Sequence, residues 1–417
     1  MKRYERAKQI MQIRLSTKEA YHPGFFIRDK RLSLKLKLDD FTSLCTPSTL
    51  SKIETGKLTP NPTLLNALYQ HLDLPNQPTP PKKNWLHPIR HTIYQREFSF
   101  SPLNQENMNL HYQQSLVKFS FFVLSKDIIH AKRELFFLEK MLIYFSLDEL
   151  QYYFLFIGYY YHLLFEGQLS KNYYDLSYQL TIKCKQNEPL LFLFLARHYS
   201  LTHHSLTAVQ FAYEASALFL KSYALSYVIE CELLISKEYI NTRLFSTAYP
   251  ILEKIKNTLS LKDPHYQIPT LYNRYGDYYF ALRDYPKAEK MYVHSLTLQS
   301  KNEEAITALM DLYYHSQQLS KLKNLLHQLK NSPSSISHPY HLKWKFYHYL
   351  INPPLSDSFR IFLQSEAIPL AKKQQDRQGL ELYSTHLQSF YEKNHKYKAA
   401  LHTLKMLNEQ REFLKMG

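Results

Sequence analysis

At 417 residues the chain is long enough for two or three domains and a large buried core. Seven glycines against 35 tyrosines and 25 phenylalanines argue against a turn-rich sheet fold and leave hardly enough glycine for a phosphate-cradling loop. A formal net charge of +16 suits a polyanionic partner, and three scattered cysteines, Cys45, Cys184 and Cys231, rule out a disulfide framework and point to a reducing cytoplasm.

Residues 1–23 form a basic N-terminal extension, with Lys2, Arg3, Arg6, Lys8, Arg14 and Lys18 against Glu5 and Glu19. No apolar stretch follows Met1, so no signal peptide is expected. Two readings stay open: a helix with a solvated face, or an arm lying along phosphates.

Residues 24–74 carry the most specific stretch, Thr46-Pro-Ser-Thr-Leu-Ser-Lys-Ile-Glu-Thr-Gly56. Thr46 is placed to N-cap a helix, because its hydroxyl can accept from an orphan N–H of the first turn. Pro47 suits the first helical position, where a missing N–H costs nothing. Leu50 and Ile53 share a face to be buried, whereas Ser48, Thr49 and Lys52 fall on other faces. Gly56 supplies a left-handed stop. Upstream, Leu38–Leu44 reads as a short helix with Leu38, Phe41 and Leu44 on one side. Downstream, Thr63–Leu72 reads as a closing helix.

These residues, with Gly24-x-x-Ile27-Arg28-x-x-Arg31, resemble the Cro/C1-type (XRE) helix-turn-helix family. The likeness covers about 50 residues. Two departures stand out: Leu32–Lys37 lacks the usual turn glycine, and the turn before Thr46 is about one residue short. The resemblance implies double-stranded DNA as partner. Thr46, Pro47, Ser48, Thr49 and Lys52 would lie at the major groove, and Arg28, Ser51 and Lys57 at phosphates. Two-fold operators mirror two-fold proteins, so a homodimer is expected.

Residues 75–99 contain five prolines between Pro75 and Pro88, which reads as a semi-rigid linker that is neither helix nor central strand. Trp85 and Leu86 are candidates for docking it onto the next domain.

Residues 100–417 are helical by pattern, and they repeat. The clearest unit, Pro269–Leu296, has Tyr272, Tyr275, Gly276, Tyr279, Ala288, Tyr292 and Ser295 at tetratricopeptide positions. Gly276 and Ala288 are small where two antiparallel helices would cross. Gly158 with Tyr174, Ala196 with Ala212, and Ser236 with Ala248 fall on the same frame. Residues 110–140 and 338–372 look like degenerate units, giving seven or eight in all. The expected fold class is all-α, a helix-turn-helix domain followed by a right-handed superhelical solenoid of tetratricopeptide-like hairpins. The first helix of each pair would line a concave groove. Its candidate groove residues are Arg197, Lys237, Asn273, Asp277, Phe280, Glu304, Thr307, Asp311 and Tyr314.

The combination of an XRE domain, a short linker and a repeat array resembles the RNPP family of peptide-pheromone-sensing regulators. That resemblance implies a short peptide ligand in the groove that modulates operator binding. It also implies a backbone-clamping asparagine in a Tyr-Asn pair, which maps onto Tyr272-Asn273. The plain alternative for Asn273 is a solvated polar residue on a helix. Two other readings compete: an XRE regulator whose repeats bind a protein, or a repeat scaffold that does not bind DNA.

No enzyme, metal or cofactor constellation emerges. His203-His204 reads as a solvated loop between the helices of a unit. The apolar runs Tyr152–Phe165 and Leu190–Ala196 fall short of the ~18 residues a membrane span needs.

Overall fold

The computed structural model describes residues 2–16, 21–82, 84–96, 108–260, 266–330, 338–351 and 357–416. All regular structure among them is helical. The chain divides into two compact units, Met1–Leu191 and Phe192–Gly417.

The first unit begins with α1 (Lys2–Ser16) and α2 (Pro23–Ser33). A 3-10 turn over Leu38–Phe41 follows, then α3 (Pro47–Glu54) and α4 (Pro62–His71). The expected short helix over Leu38–Leu44 is thus a single tight turn. Asp40 accepts from the Lys37 N–H at 2.6 Å, and the amides of Leu44 and Cys45 both close back on the Phe41 carbonyl. Phe41 joins Ile27, Leu50, Ile53, Leu68, Tyr69 and Leu72 in one core. Gly24 is required by close approach, since a Cβ there would lie 1.9 Å from the Ile53 carbonyl oxygen. The missing turn glycine between α2 and the 3-10 turn is replaced by Lys35, which takes φ 61 itself.

Next come α5 (Leu86–Tyr94), α6 (His111–Leu124), α7 (Ile128–Met141), α8 (Leu147–Leu163) and α9 (Gly167–Cys184); α10 (Pro189–Leu201) runs across the division. The linker therefore contains a helix. Pro88 is tolerated because it sits in the first turn, where the N–H has no intrahelical partner. That helix is anchored by polar contacts. Trp85 Nε1 and the Tyr112 hydroxyl donate to Glu149 Oε1 at 2.7 and 2.8 Å. Arg90 bridges Glu188 at 2.8 Å and Asp148 at 2.6 Å.

Of the two readings for the N-terminal extension, residues 2–16 adopt the helix. Ala7, Ile10 and Met11 are buried, Tyr4 meets Tyr173 edge to face, and Arg14 donates to the Ile143 carbonyl at 2.6 Å.

The compact division falls at Leu191 and not at the proline-rich linker, because the segment from α2 to α4 is joined to the first repeats. The Asp29 carboxylate accepts from the His111 and Tyr112 amides at the start of α6, each at 2.8 Å. The Tyr144 hydroxyl donates to the Glu54 carbonyl. The Phe25 ring packs against those of Tyr112 and Tyr144.

The second unit continues with α11 (Ser205–Lys221), α12 (Leu225–Asn241), α13 (Phe245–Ser260), α14 (Ile268–Ala281), α15 (Tyr285–Leu298), α16 (Glu303–His315) and α17 (Leu319–Lys330). After these come α18 (His338–Ile351), α19 (Asp357–Phe362), α20 (Ile368–Gln374), α21 (Arg377–Lys393) and α22 (Tyr397–Met416). Neighbouring helices pack in pairs, α6 with α7, α8 with α9, α12 with α13, α14 with α15, α16 with α17 and α21 with α22, and the fold is an all-α, tetratricopeptide-like solenoid. The small residues act as the repeat frame requires. A Cβ on Gly276 would lie 2.4 Å from the Tyr292 ring, and one on Gly158 2.5 Å from the Tyr174 ring. Ala196, Ala212 and Ile235 form a further crossing. In the degenerate unit after α18, the second helix is interrupted by a π turn over Leu363–Ala367. Pro369 follows at once, and the wider turn absorbs its missing N–H.

With so few glycines, the turns between paired helices use other residues in the left-handed region. Lys126, Phe165, His203, Arg243, Arg283, Gln317, Gln375 and His395 all have φ between 56 and 62. None is β-branched, the class for which that conformation is hardest.

Candidate functional site

The α3 helix forms as its sequence dictates. Thr46 accepts from the Thr49 amide at 3.2 Å, and Pro47 opens the helix. Leu50, Ile53 and Glu54 face inward. Thr46, Ser48, Lys52 and Lys57 are exposed, while Pro47, Thr49 and Ser51 are half-buried. Thr49 Oγ1 lies 2.8 Å from Thr46 Oγ1, so the two hydroxyls are oriented as a pair. Hydroxyls and an ammonium on one exposed face can donate to and accept from base edges and phosphates. Arg28 stands apart, on α2 beside the Tyr144 hydroxyl. Burial pushes that hydroxyl up to about 12, with the Arg28 charge opposing.

Sequence reasoning gave no role to Arg31 and Glu54. They form a buried bidentate pair, Nε to Oε1 at 2.5 Å and Nη2 to Oε2 at 2.8 Å, and Arg31 also donates to the Leu36 carbonyl at 2.7 Å. The signal was available, since Glu54 follows Ile53 on the inward face.

In the second unit, Asp277 and Asp311 each meet a cation, and Thr307 donates to the Glu304 carbonyl of its own helix at 3.0 Å. Arg274 bridges Asp277 and Glu304, the latter at 2.5 Å. Asp277 also accepts from the Tyr292 hydroxyl at 2.8 Å. Asp311 accepts from Lys343 and from the Tyr347 hydroxyl, both at 2.5 Å. Burial works against ionising Glu304, but the Arg274 charge, reinforced by Lys237, holds its carboxyl down to about 2.

Asn273 and Thr307, expected at the groove surface, are only 1% and 6% exposed. Asn273 Nδ2 donates to Asn302 Oδ1 at 3.3 Å, and its own Oδ1 has no hydrogen-bond partner. Tyr272 packs edge to face on His294 of α15, 4.2 Å between centroids, and so turns away from Asn273. Phe280 meets His315, and Tyr314 meets Tyr347. Arg197 pairs with Glu230. Lys343 and Tyr347 escaped sequence reasoning because they lie in a degenerate unit with no frame to place them. Arg274 escaped because its position next to Asn273 is not a groove position in the ideal repeat.

Among the described residues no group of three or more His, Cys, Asp or Glu could hold a metal ion. No helix among them is long and apolar enough to cross a membrane.

No protein-family model matches the chain. The chain is similar to a transcriptional activator. That relative is NprA of Geobacillus stearothermophilus, 24% identical over 390 residues, 86% of this chain and 95% of that protein. The alignment is longer than either compact unit, so the likeness extends over both. It is to a regulator and not to an enzyme, in line with the sequence. Among solved structures, NprR in complex with its cognate peptide NprX superposes with a TM-score of 0.64 at 19% identity, over 78% of this chain and 97% of that one. A Rap protein complexed with competence and sporulation factor gives 0.61 at 16%, over 80% and 96%. Both likenesses are of fold.

Proposed function

We propose that the protein is a sequence-specific DNA-binding transcriptional regulator. In this reading α3 and its flanks, residues 24–74, read the operator, and the repeats bind a short signalling peptide that modulates DNA binding. The molecule acts as a homodimer in the cytoplasm. The observation that carries the reading is the likeness to a transcriptional activator across both compact units. The exposed hydroxyls of Thr46 and Ser48 and the Lys52 ammonium at α3 support the DNA half. The peptide half is supported by two solved structures of the same fold, each described with a peptide or signalling factor bound. The half-exposed carboxylates of Asp277, Glu304 and Asp311 offer acceptors for an extended backbone, while the buried Arg274 holds the first two in place.

The test is selection of bound fragments from the source genome by purified protein at physiological salt, beside Thr49→Ala/Lys52→Ala. Salt has to be fixed because a chain of net charge +16 holds any DNA when screening is weak. An inverted repeat that the wild type enriches and the variant loses is expected. Cell-free culture filtrate should change the enrichment. Uniform retention of all fragments, with and without filtrate, would refute the reading.

A further inference from the structure

The first unit contains a cleft of about 900 Å³ that the recognition helix does not account for. One wall is the turn after α2, with Lys35 and Lys37, and Pro47 at the start of α3. The other is α7, the second helix of the first repeat, with Arg133, Phe136 and Lys140. These α7 residues are three and four positions apart, so they form one stripe along the helix. The cleft is strongly cationic. Arg31, deeper in, is already neutralised by Glu54, but Lys35, Lys37, Arg133 and Lys140 outnumber the two carboxylates on the lining, Asp39 and Glu134.

Phe136 sharpens the point. Its ring is 61% exposed, although α7 buries Ala131, Leu135, Leu138 and Met141 against the repeat core. Lys140 Nζ lies 4.2 Å from the ring centroid. An aromatic face carrying a cation, beside a second cation and next to a recognition helix, matches the sugar-phosphate edge of a duplex: the ring meets the deoxyribose and the cations meet the phosphates. The cleft is also held at fixed width. Asp29 caps α6, and Tyr144, just after α7, bonds the last residue of α3. The spacing between α3 and α7 is therefore fixed.

We infer that α7 of the first repeat is part of the DNA interface, with Arg133 and Lys140 clamping the backbone strand beside the half-site that α3 reads. The inference rests on the proposed DNA-binding function. It makes the first repeat a contributor to affinity and register, and not only a spacer to the rest of the solenoid.

The experiment compares full-length wild type, Arg133→Ala/Lys140→Ala, Thr49→Ala/Lys52→Ala and a charge control, Lys396→Ala/Lys398→Ala. The probes are the duplex enriched from the genome and a scrambled duplex of equal length, titrated over a range of salt. Losing two phosphate contacts should flatten the plot of log affinity against log salt by about 1.8. The α7 variant should weaken on both duplexes while keeping its preference for the enriched one. An unchanged slope in the α7 variant, with preference lost in the α3 variant, overturns the inference and leaves the DNA-binding reading standing. The cleft would then fit an acidic protein partner. Equal flattening in the charge control would also overturn it, by showing a general field effect. A wild type with no preference for any duplex sinks both.

Discussion

The seam at Asp29 gives the sharpest quantitative test. The carboxylate is 4% exposed and accepts two backbone N–H groups from α6. Burial raises it from 3.8 to about 6, against the pull of those two bonds. The folded state therefore holds its proton more tightly than the unfolded chain between those values, and stability falls as pH rises through that window. One pKa unit corresponds to about 1.4 kcal/mol, so acidifying from about pH 7 to 4.5 should strengthen this unit by about 2 kcal/mol through Asp29 alone. Asp29→Asn keeps an acceptor for one amide and removes the titration. Urea unfolding, followed by Trp85 fluorescence in a Trp344→Phe background, isolates this unit, since the chain has only two tryptophans. The curves of the wild type and the Asp29→Asn variant should converge or cross as pH rises, with the difference between them changing by about 2 kcal/mol over that range. A constant difference at every pH would refute the reasoning and place the titrating charge elsewhere.

Two further outcomes concern the repeats. Gly276→Ala should destabilise the second unit by about 1–3 kcal/mol, because the added methyl meets the buried Tyr292 ring at 2.4 Å; Trp344 fluorescence in urea would read this, and a gain in stability would mean the helices cross more loosely. Arg243→Gly should raise the melting temperature slightly, since relief of the left-handed strain at φ 60 exceeds the added freedom of the unfolded chain by about 0.5 kcal/mol; a lower melting temperature would show that the arginine side chain contributes contacts of its own.

Legible and illegible features divide along a physical line. Local chemistry could be read from the residues. Thr46 caps, Pro47 opens the helix, Gly56 turns left-handed at φ 71, and Gly158 and Gly276 sit where tyrosine rings cross. Each depends on neighbours within about one turn or on a repeating frame. The interactions that set the unit boundaries could not be read, because their partners are far apart in sequence. Asp29 reaches residues 111 and 112, Trp85 reaches Glu149, and Arg90 reaches Glu188. No periodicity announces such pairs, so the proline-rich stretch read as a semi-rigid linker with Trp85 and Leu86 as docking candidates, and neither the helix they open nor their partners could be named. The candidate peptide residues show the same limit. The repeat frame put Asn273 on α14 but gave no notice of Asn302, which accepts from its side chain.

Glu54 is gripped twice, its side chain by Arg31 and its backbone carbonyl by Tyr144. Those grips differ in kind: one comes from α2, the other from the corner between α7 and α8. The α3 helix is eight residues long, about 12 Å. Its repeat-side tether is at one end, and the exposed Thr46 and Ser48 are at the other. A shift of the corner thus acts on a rod held at its base: a small displacement at Tyr144 becomes a change of tilt at the far end, where Thr46 and Ser48 stand exposed.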